Sequence, residues 1–227
     1  MIELVDVGVT APDGQTAILT DVNGVWSEQR IALIGANGSG KSTLARLVNG
    51  LVRPTTGRVI VDGLDVAEHT VAVRKKVGFC FTDPSAQFAM PTAIEDVALS
   101  LRRAYPRRAE RHDAALAILD RYGLAHRAEV SVHALSGGQK QLLALAGVLA
   151  IEPAIVVADE PTTLLDLSNT RRVAEVLFGL DQQLIVATHD LALAARCERG
   201  IVVSDGRIAF DGPADDAVAH YMSTVGP

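Results

Sequence analysis

The sequence contains little of what disulfide frameworks, metal clusters or membrane spans are built from. It has two cysteines among 227 residues, Cys80 and Cys197, and their spacing fits neither a metal site nor a disulfide pattern. Its longest apolar run, residues 142–151, is far shorter than the roughly 18–20 residues that a transmembrane helix needs. The N-terminus shows no basic and apolar leader. We therefore expect a protein of the reducing cytosol that would serve a membrane only through a partner.

Positive charge is also scarce. The chain has 21 Lys and Arg against 27 Asp and Glu, which gives a net charge of -6. No overall basic surface therefore indicates nucleic acid as a partner, and none is expected. A local basic cluster lies between Arg102 and Arg111 and could face anionic lipid headgroups or a partner protein. The acidic neighbours Glu110 and Asp113 favour an ordinary solvated helical face instead.

What the sequence does contain is an alternation of short apolar runs and helical patterns. Residues 30–35, 77–81, 154–158 and 184–188 are apolar runs of the kind that form strands buried on both faces of a sheet. A helical pattern follows the first run at about residues 41–51. The alternation predicts an α/β fold with a mostly parallel sheet covered by helices.

Further segments extend this α/β core. Two β-rich runs, residues 2–9 and 17–26, are joined by a Pro-Asp-Gly turn and predict an N-terminal antiparallel subdomain beside the main sheet. A mostly helical stretch between about residues 93 and 135 predicts a helical insertion. Near the end, Asp205-Gly206 predicts a two-residue hairpin, and a last helix is expected after it.

A glycine-rich segment between the first predicted strand and its helix matches the phosphate-binding P-loop pattern, from Gly35 to Ser42. Glycines allow successive backbone N–H groups to wrap around phosphate oxygens, at the positive end of the helix dipole. Lys41 is expected to reach the β- and γ-phosphates, and Ser42 to bind Mg²⁺. The predicted nucleotide-binding residues of this segment are Gly35, Asn37, Gly38, Ser39, Gly40, Lys41, Ser42 and Thr43.

Two acids, Asp159 and Glu160, follow the apolar run at residues 154–158. Ligands of parallel sheets bind at the carboxyl ends of the strands, so these acids and the P-loop should converge. We predict that Asp159 binds Mg²⁺, directly or through water, and that Glu160 orients and deprotonates an attacking water. His189 ends the next strand and could hydrogen-bond the γ-phosphate region, although a lone histidine is more often structural.

A third motif, Leu135-Ser136-Gly137-Gly138-Gln139, opens an apolar-striped helix between the P-loop and the acidic strand. In this order the three motifs resemble the ATP-binding-cassette (ABC) family over essentially the whole chain. The resemblance implies a P-loop NTPase fold of the RecA-like kind that binds ATP and Mg²⁺. The catalytic residues that it implies are Glu160, His189 and Lys41.

The resemblance also implies a head-to-tail dimer, built from two identical or two different ATPase chains. In such a dimer Ser136, Gly138 and Gln139 would act on the ATP that the other subunit's P-loop holds. Asp166 matches the loop that lies at the dimer seam of the family. His189 matches the residue that senses the γ-phosphate.

Two positions depart from the family pattern. Ala11 stands where many members carry an aromatic residue that stacks on adenine. Thr82 stands where the family carries a glutamine that contacts Mg²⁺ and the attacking water, and a threonine is too short to span that distance. Asp83 or Gln87 could compensate. We expect Thr82 to weaken the contact with the metal and to slow basal hydrolysis.

The branch within the family is indicated by residues 77–96, which resemble the ATPases of energy-coupling-factor importers. Residues 159–167 are similar to the biotin type, and cobalt-type ATPases share much of the pattern. The resemblance implies a transmembrane scaffold and a substrate-binding membrane subunit as partners at the inner face of the cell membrane. Alternatives are another transporter branch or a non-transport ABC ATPase; the signature segment argues against a small-molecule kinase. We expect one nucleotide-binding domain, residues 1–227, with a helical subdomain at about residues 84–135.

Overall fold

A computed structural model describes residues 1–225 and separates the chain into two compact units. The first comprises Met1–Phe79, Ala154–Glu160 and the chain from Leu180 on, and the second comprises Cys80–Pro153 and Pro161–Gly179. The helical subdomain at about residues 84–135 stays a prediction.

Strands of the first unit form two sheets. In chain order the strands are β1 (Ile2–Thr10), β2 (Ala17–Trp26), β3 (Arg30–Ile34), β4 (Thr56–Val61), β5 (Leu64–Asp65), β6 (Val77–Cys80, whose last residue begins the second unit), β7 (Ile155–Asp159), β8 (Gln183–Thr188), β9 (Arg199–Ser204) and β10 (Arg207–Pro213). One sheet has the order β2-β1-β4-β5, and the other β10-β9-β3-β8-β7-β6.

The six-stranded sheet confirms the predicted α/β core. β3 pairs in parallel with β8 and β9, and β7 pairs in parallel with β8, while only β9 and β10 form an antiparallel hairpin among the pairings described. All residues of β7 and nearly all of β3 and β8 are buried, as the apolar runs within these strands indicate. The carboxyl ends of β3, β7 and β8 therefore lie at one edge of this sheet.

The N-terminal antiparallel subdomain is larger than the predicted hairpin. β1 pairs with β2 as expected, and it also pairs with β4, where Ile2 lies opposite Val61. β4 and β5 were not predicted from the sequence. The first three residues of β4 are exposed and only Val59 and Val61 are buried, so its alternation is too short to predict a strand.

Helices follow the strands much as predicted. In chain order they are α1 (Lys41–Asn49), α2 (Thr70–Lys76), α3 (Ala93–Ser100), α4 (Arg108–Arg121), α5 (Gly137–Leu149), α6 (Leu167–Phe178), α7 (Leu191–Ala194) and α8 (Ala214–Val225). Helix α1 ends before the predicted residue 51 because Gly50 adopts a left-handed conformation, φ 71°, and its N–H caps the last turn. None of the helices described is long and apolar enough to cross a membrane.

The second unit is mainly helical, with α3, α4 and α5 packed on one another and α6 packed on α5. Its apolar core includes Leu119, Leu142 and Leu143, each at most 1% exposed. Thr92 and Glu95 form a capping box that starts α3. Helix α3 ends at Ser100, within the stretch at about residues 93–135 that the sequence predicts to be mostly helical.

Candidate functional site

The P-loop connects the end of β3 to the start of α1 in the first unit. The side chain of Lys41 is only 5% exposed, and its Nζ donates to the carbonyl oxygen of Ala36 at 3.1 Å. The Ser39 hydroxyl is buried and has no hydrogen-bond partner within the part of the chain that the structure describes. A buried hydroxyl without a partner is costly, so Ser39 is available for an oxygen ligand such as phosphate. The ammonium of Lys41 has three donors and is available for the same ligand.

The P-loop is held from behind by the turn between β9 and β10, which the sequence analysis identified only as a hairpin. The N–H of Gly206 donates to the carbonyl oxygen of Ser39 at 3.1 Å, and the N–H of Thr20 donates to the carbonyl oxygen of Gly206 at 2.8 Å. A Cβ atom on Gly40 would lie 2.7 Å from the side chain of Leu19. The loop therefore rests on two other segments of the first unit.

Ser42 and Asp159 meet at the start of α1. The Ser42 hydroxyl donates to Oδ1 of Asp159 at 2.7 Å, and the Asp159 side chain is completely buried. No group of three or more His, Cys, Asp and Glu among residues 1–225 could hold a metal ion by itself. A hydroxyl and a carboxylate are hard oxygen ligands that fit Mg²⁺, which usually completes its shell with water and substrate phosphate.

Glu160 and His189 form a hydrogen-bonded pair at the ends of neighbouring strands. His189 Nδ1 lies 2.7 Å from Glu160 Oε2. A carboxylate accepts, so this contact favours the tautomer with a proton on Nδ1. Glu160 Oε1 lies 3.7 Å from Lys41 Nζ. Glu160 is thus placed between the P-loop lysine and the histidine.

The backbone around this pair is unusual. Glu160 has φ 52°, a left-handed conformation that is strained for a residue with a side chain, and its N–H donates to the carbonyl oxygen of Ala187 at 2.8 Å. Asp190 caps α7 through Ala192 and Leu193. These contacts fix where Glu160 and His189 leave their strands.

The signature segment lies in the second unit, at the start of α5. Ser136 Oγ accepts from the N–H of Gln139 at 3.3 Å, and the Gln139 side chain accepts from the N–H of Ser136 at 3.0 Å. The two side chains form a capping box.

Asn169, which the sequence analysis missed, joins the signature to the segment before α6. Its Nδ2 donates to Asp166 at 2.7 Å, and its N–H donates to the same carboxylate at 2.8 Å. A Cβ atom on Gly138 would lie 2.1 Å from Asn169 Oδ1. Asp166 therefore acts as a helix cap that also holds the side chain packed on Gly138. The Asp-x-x-Asn spacing predicts the cap, but nothing in it predicts the contact with Gly138.

Asp83 and Gln87, the two residues that could compensate for Thr82, are engaged in local hydrogen bonds. Asp83 caps the short turn Pro84–Gln87 by accepting from Ser85 at 2.9 Å. The Gln87 side chain accepts from the N–H of Phe81 at 3.2 Å and donates to the carbonyl oxygen of Ala144 in α5 at 3.1 Å. Both side chains therefore stabilise the loop that carries Thr82.

Within the first unit, the structure thus brings five predicted site residues together as two contact groups, Lys41–Glu160–His189 and Ser42–Asp159. Among the other P-loop candidates, Gly35, Asn37, Gly38, Ser39 and Gly40 form the connecting loop, and Thr43 lies in the first turn of α1. The candidates of the second unit, Ser136, Gly138, Gln139 and Asp166, lie near one another at the starts of α5 and α6.

Known proteins are similar to this chain in sequence and in fold. A family model described as ABC transporter matches residues 20–163. The biotin transport ATP-binding protein BioM of Rhizobium etli is 46% identical over 193 residues, 85% of this chain and 86% of that protein. The structure of cbiO1 from Clostridium perfringens, part of the ABC transporter complex cbiONQ, has a TM-score of 0.83 and 29% identity, and the match covers 96% of this chain and 90% of that one. A dimeric ATP-binding cassette in a post-hydrolysis state, bound to ADP and Pi, has a TM-score of 0.85 and 31% identity, with 94% and 99% covered.

Proposed function

We propose that this chain, which belongs to the ABC transporter family, is the ATP-hydrolysing subunit of an importer of the energy-coupling-factor type. Membership of the family makes the chain an ATP-binding subunit and an ATPase. The observation that carries the assignment of its site is the contact group Lys41–Glu160–His189 beside the pair Ser42–Asp159. These groups supply a cation for phosphate, a base for water and hard oxygen ligands for a metal.

The P-loop holds the triphosphate of ATP through its backbone N–H groups, and Lys41 binds the β- and γ-phosphates. Ser42 and Asp159 hold Mg²⁺, which when bound neutralises charge on the phosphate oxygens. The metal assignment is supported by the short contact between these two oxygen ligands.

Glu160 acts as the general base. It takes a proton from water as the water oxygen attacks the γ-phosphorus, and the bond to the bridging oxygen breaks to leave ADP and phosphate. His189 donates from Nδ1 to Glu160, and it also donates to an oxygen of the γ-phosphate only when Nε2 carries a second proton. The strained backbone of Glu160 supports this role, because such strain concentrates at functional sites.

Two such chains, or this chain and a related ATPase, form a dimer in which the signature of each subunit closes on the ATP of the other. Ser136, Gly138 and Gln139 then act in trans, and closure moves the membrane partners. The likeness to a dimeric cassette supports this arrangement. The partners are a transmembrane scaffold and a substrate-binding membrane subunit, and the chain works at the inner face of the membrane.

The cargo that we propose is a vitamin such as biotin. The similarity to BioM supports biotin, and the similarity to cbiO1 keeps a metal ion such as cobalt as the second candidate. A tagged chain purified with detergent-solubilised membranes of its host should retain a scaffold and a separate substrate-binding subunit, which can be tested for biotin and for Co²⁺. Retention of ordinary permease subunits alone would contradict the energy-coupling-factor assignment.

The catalytic assignment is tested by Glu160→Gln. Loss of a general base should lower kcat by about 10²–10⁴-fold, while ATP binding and ATP-dependent dimerisation persist. Steady-state phosphate release and size-exclusion chromatography with ATP measure the two effects. Glu68→Gln, at an exposed position, is the matched control and should match wild type. Wild-type turnover in Glu160→Gln would exclude Glu160 as the base.

A further inference from the structure

Arg46 lies one helical turn after Ser42 on α1 and contacts the same carboxylate. Residues four apart on a helix share a face. Ser42 Oγ donates to Oδ1 of Asp159 at 2.7 Å, and Arg46 Nη2 lies 3.2 Å from Oδ2. Both carboxylate oxygens of Asp159 therefore face the first two turns of α1.

The two partners of this ion pair differ in exposure. The side chain of Asp159 is 0% exposed, whereas the side chain of Arg46 is 40% exposed. A fully buried carboxylate needs a balancing charge. Lys41 does not provide it here, because its ammonium lies 3.7 Å from Glu160. Arg46 supplies a positive charge where Asp159 needs one, and part of its side chain already reaches water.

We propose that Arg46 is the counter-ion of Asp159 in the metal-free protein and releases this carboxylate when Mg²⁺ binds. The inference rests on the proposed function, in which Ser42 and Asp159 hold the metal. A dication at the same carboxylate repels a guanidinium at this distance. The exposed part of Arg46 allows the side chain to turn into solvent while α1 keeps its place.

Arg46 is thus a positioning residue. Before the metal binds, Arg46 balances the charge of the Asp159 carboxylate, which the hydrogen bond from Ser42 keeps beside the other oxygen ligand. The ion pair also sets the strength of metal binding, because the metal replaces an existing partner rather than filling a site without charge compensation. Removing the guanidinium should therefore destabilise the metal-free protein and increase the advantage that Mg²⁺ gives to nucleotide binding.

The test compares Arg46→Met, which keeps the apolar part of the side chain, with Arg46→Lys, which keeps the charge. The affinity for a non-hydrolysable fluorescent ATP analogue is measured with Mg²⁺ and with EDTA, and the Tm is measured without nucleotide in EDTA. In Arg46→Met the ratio of Kd in EDTA to Kd in Mg²⁺ should increase roughly tenfold, one ion-pair contribution of about 1.4 kcal/mol, and the Tm should fall. Arg46→Lys should stay close to wild type.

The matched control is Arg74→Met, which removes an arginine of α2 whose guanidinium donates to the carbonyl oxygen of Gly50 at 2.8 Å. This variant can lower the Tm but should leave the ratio of Kd in EDTA to Kd in Mg²⁺ unchanged. An unchanged ratio in Arg46→Met would overturn the counter-ion role. Equal weakening with Mg²⁺ and with EDTA would overturn it too, because Arg46 would then contact the nucleotide itself.

Asp159→Asn separates this inference from the proposed function. If Asp159→Asn keeps the full wild-type Mg²⁺ ratio, Asp159 is not a metal ligand and the proposed site fails together with the inference. If the ratio of Kd in EDTA to Kd in Mg²⁺ falls towards one in Asp159→Asn while Arg46→Met behaves as wild type, the metal site stands and only the counter-ion role is overturned.

Discussion

The turn between β9 and β10 supports the P-loop, and a substitution in this turn measures how strongly nucleotide binding depends on that support. Gly206 has φ 73°, its N–H binds the carbonyl oxygen of Ser39, and a Cβ atom at this position would lie 2.5 Å from the carbonyl oxygen of Ile18. The perturbation is Gly206→Ala. Backbone oxygen cannot move away as a flexible side chain can, so the new methyl group should push the turn away from the P-loop.

A second turn in the same unit distinguishes the cost of a left-handed backbone from the cost of overpacking in this substitution. Gly63 also follows an aspartate, has φ 76°, and a Cβ there would meet nothing within 4 Å. Gly63→Ala therefore carries only the left-handed backbone cost of about 1 kcal/mol. Gly206→Ala adds overpacking of about 1–3 kcal/mol, for a total of roughly 2–4 kcal/mol. The Tm of a chain of this size changes by roughly 2–4 °C per kcal/mol. Gly206→Ala should therefore lower the Tm at least twice as much as Gly63→Ala does.

The functional readout is nucleotide affinity. Losing one backbone hydrogen bond to the P-loop, about 0.5–1.5 kcal/mol, should weaken binding of a fluorescent ATP analogue roughly twofold to twelvefold in Gly206→Ala. The affinity of Gly63→Ala should stay at the wild-type value. Equal Tm losses in the two variants, or unchanged affinity in Gly206→Ala, would refute the reasoning, because the turn would then have room to adapt or no influence on the P-loop.

Two further predictions concern the second unit and the cysteines. Gly138→Ala should destabilise the protein by about 1–3 kcal/mol in denaturant unfolding, because its Cβ would meet the side chain of Asn169 at 2.1 Å. Gly137→Ala should be tolerated, because its Cβ would meet only Leu165 at 3.6 Å. Equal stability of the two variants would contradict this packing. Burial raises the pKa of the Cys80 and Cys197 thiols to about 12, so at about pH 8 only about one thiol in 10⁴ is ionised. The native protein should therefore react with a thiol reagent far more slowly than the guanidine-unfolded protein, in which two thiols react; rapid native labelling would show that these sites open.

The first-unit site was predictable residue by residue because its parts are local. The P-loop, the acids after β7 and His189 after β8 each have a signal within a few neighbouring residues, and the parallel sheet brings strand ends to one edge. The contacts Lys41–Glu160–His189 then follow from positions that the sequence had already indicated. The assigned roles of these residues stay predictions.

The features that were not predicted have sequence signals that are short, or they join residues that are distant in sequence. β4 and β5 were missed because exposed polar residues interrupt a brief alternation. Asn169 was missed because a helix cap is common, and its contact with Gly138 joins residues that are far apart in sequence. Thr82 marked a departure from the family pattern, but only the structure placed Gln87 on Phe81 and Ala144.

By itself the sequence determined the fold class, the phosphate loop and the acids of the candidate site, because strand periodicity, glycine conformation and helix polarity act over a few residues. Tertiary structure decided which atoms meet. Arg46 and Asp159 are 113 residues apart and Gly206 lies far along the chain from Ser39. Such contacts depend on strand register and on the way helices pack against a sheet, and these are properties of the whole chain that no local pattern contains.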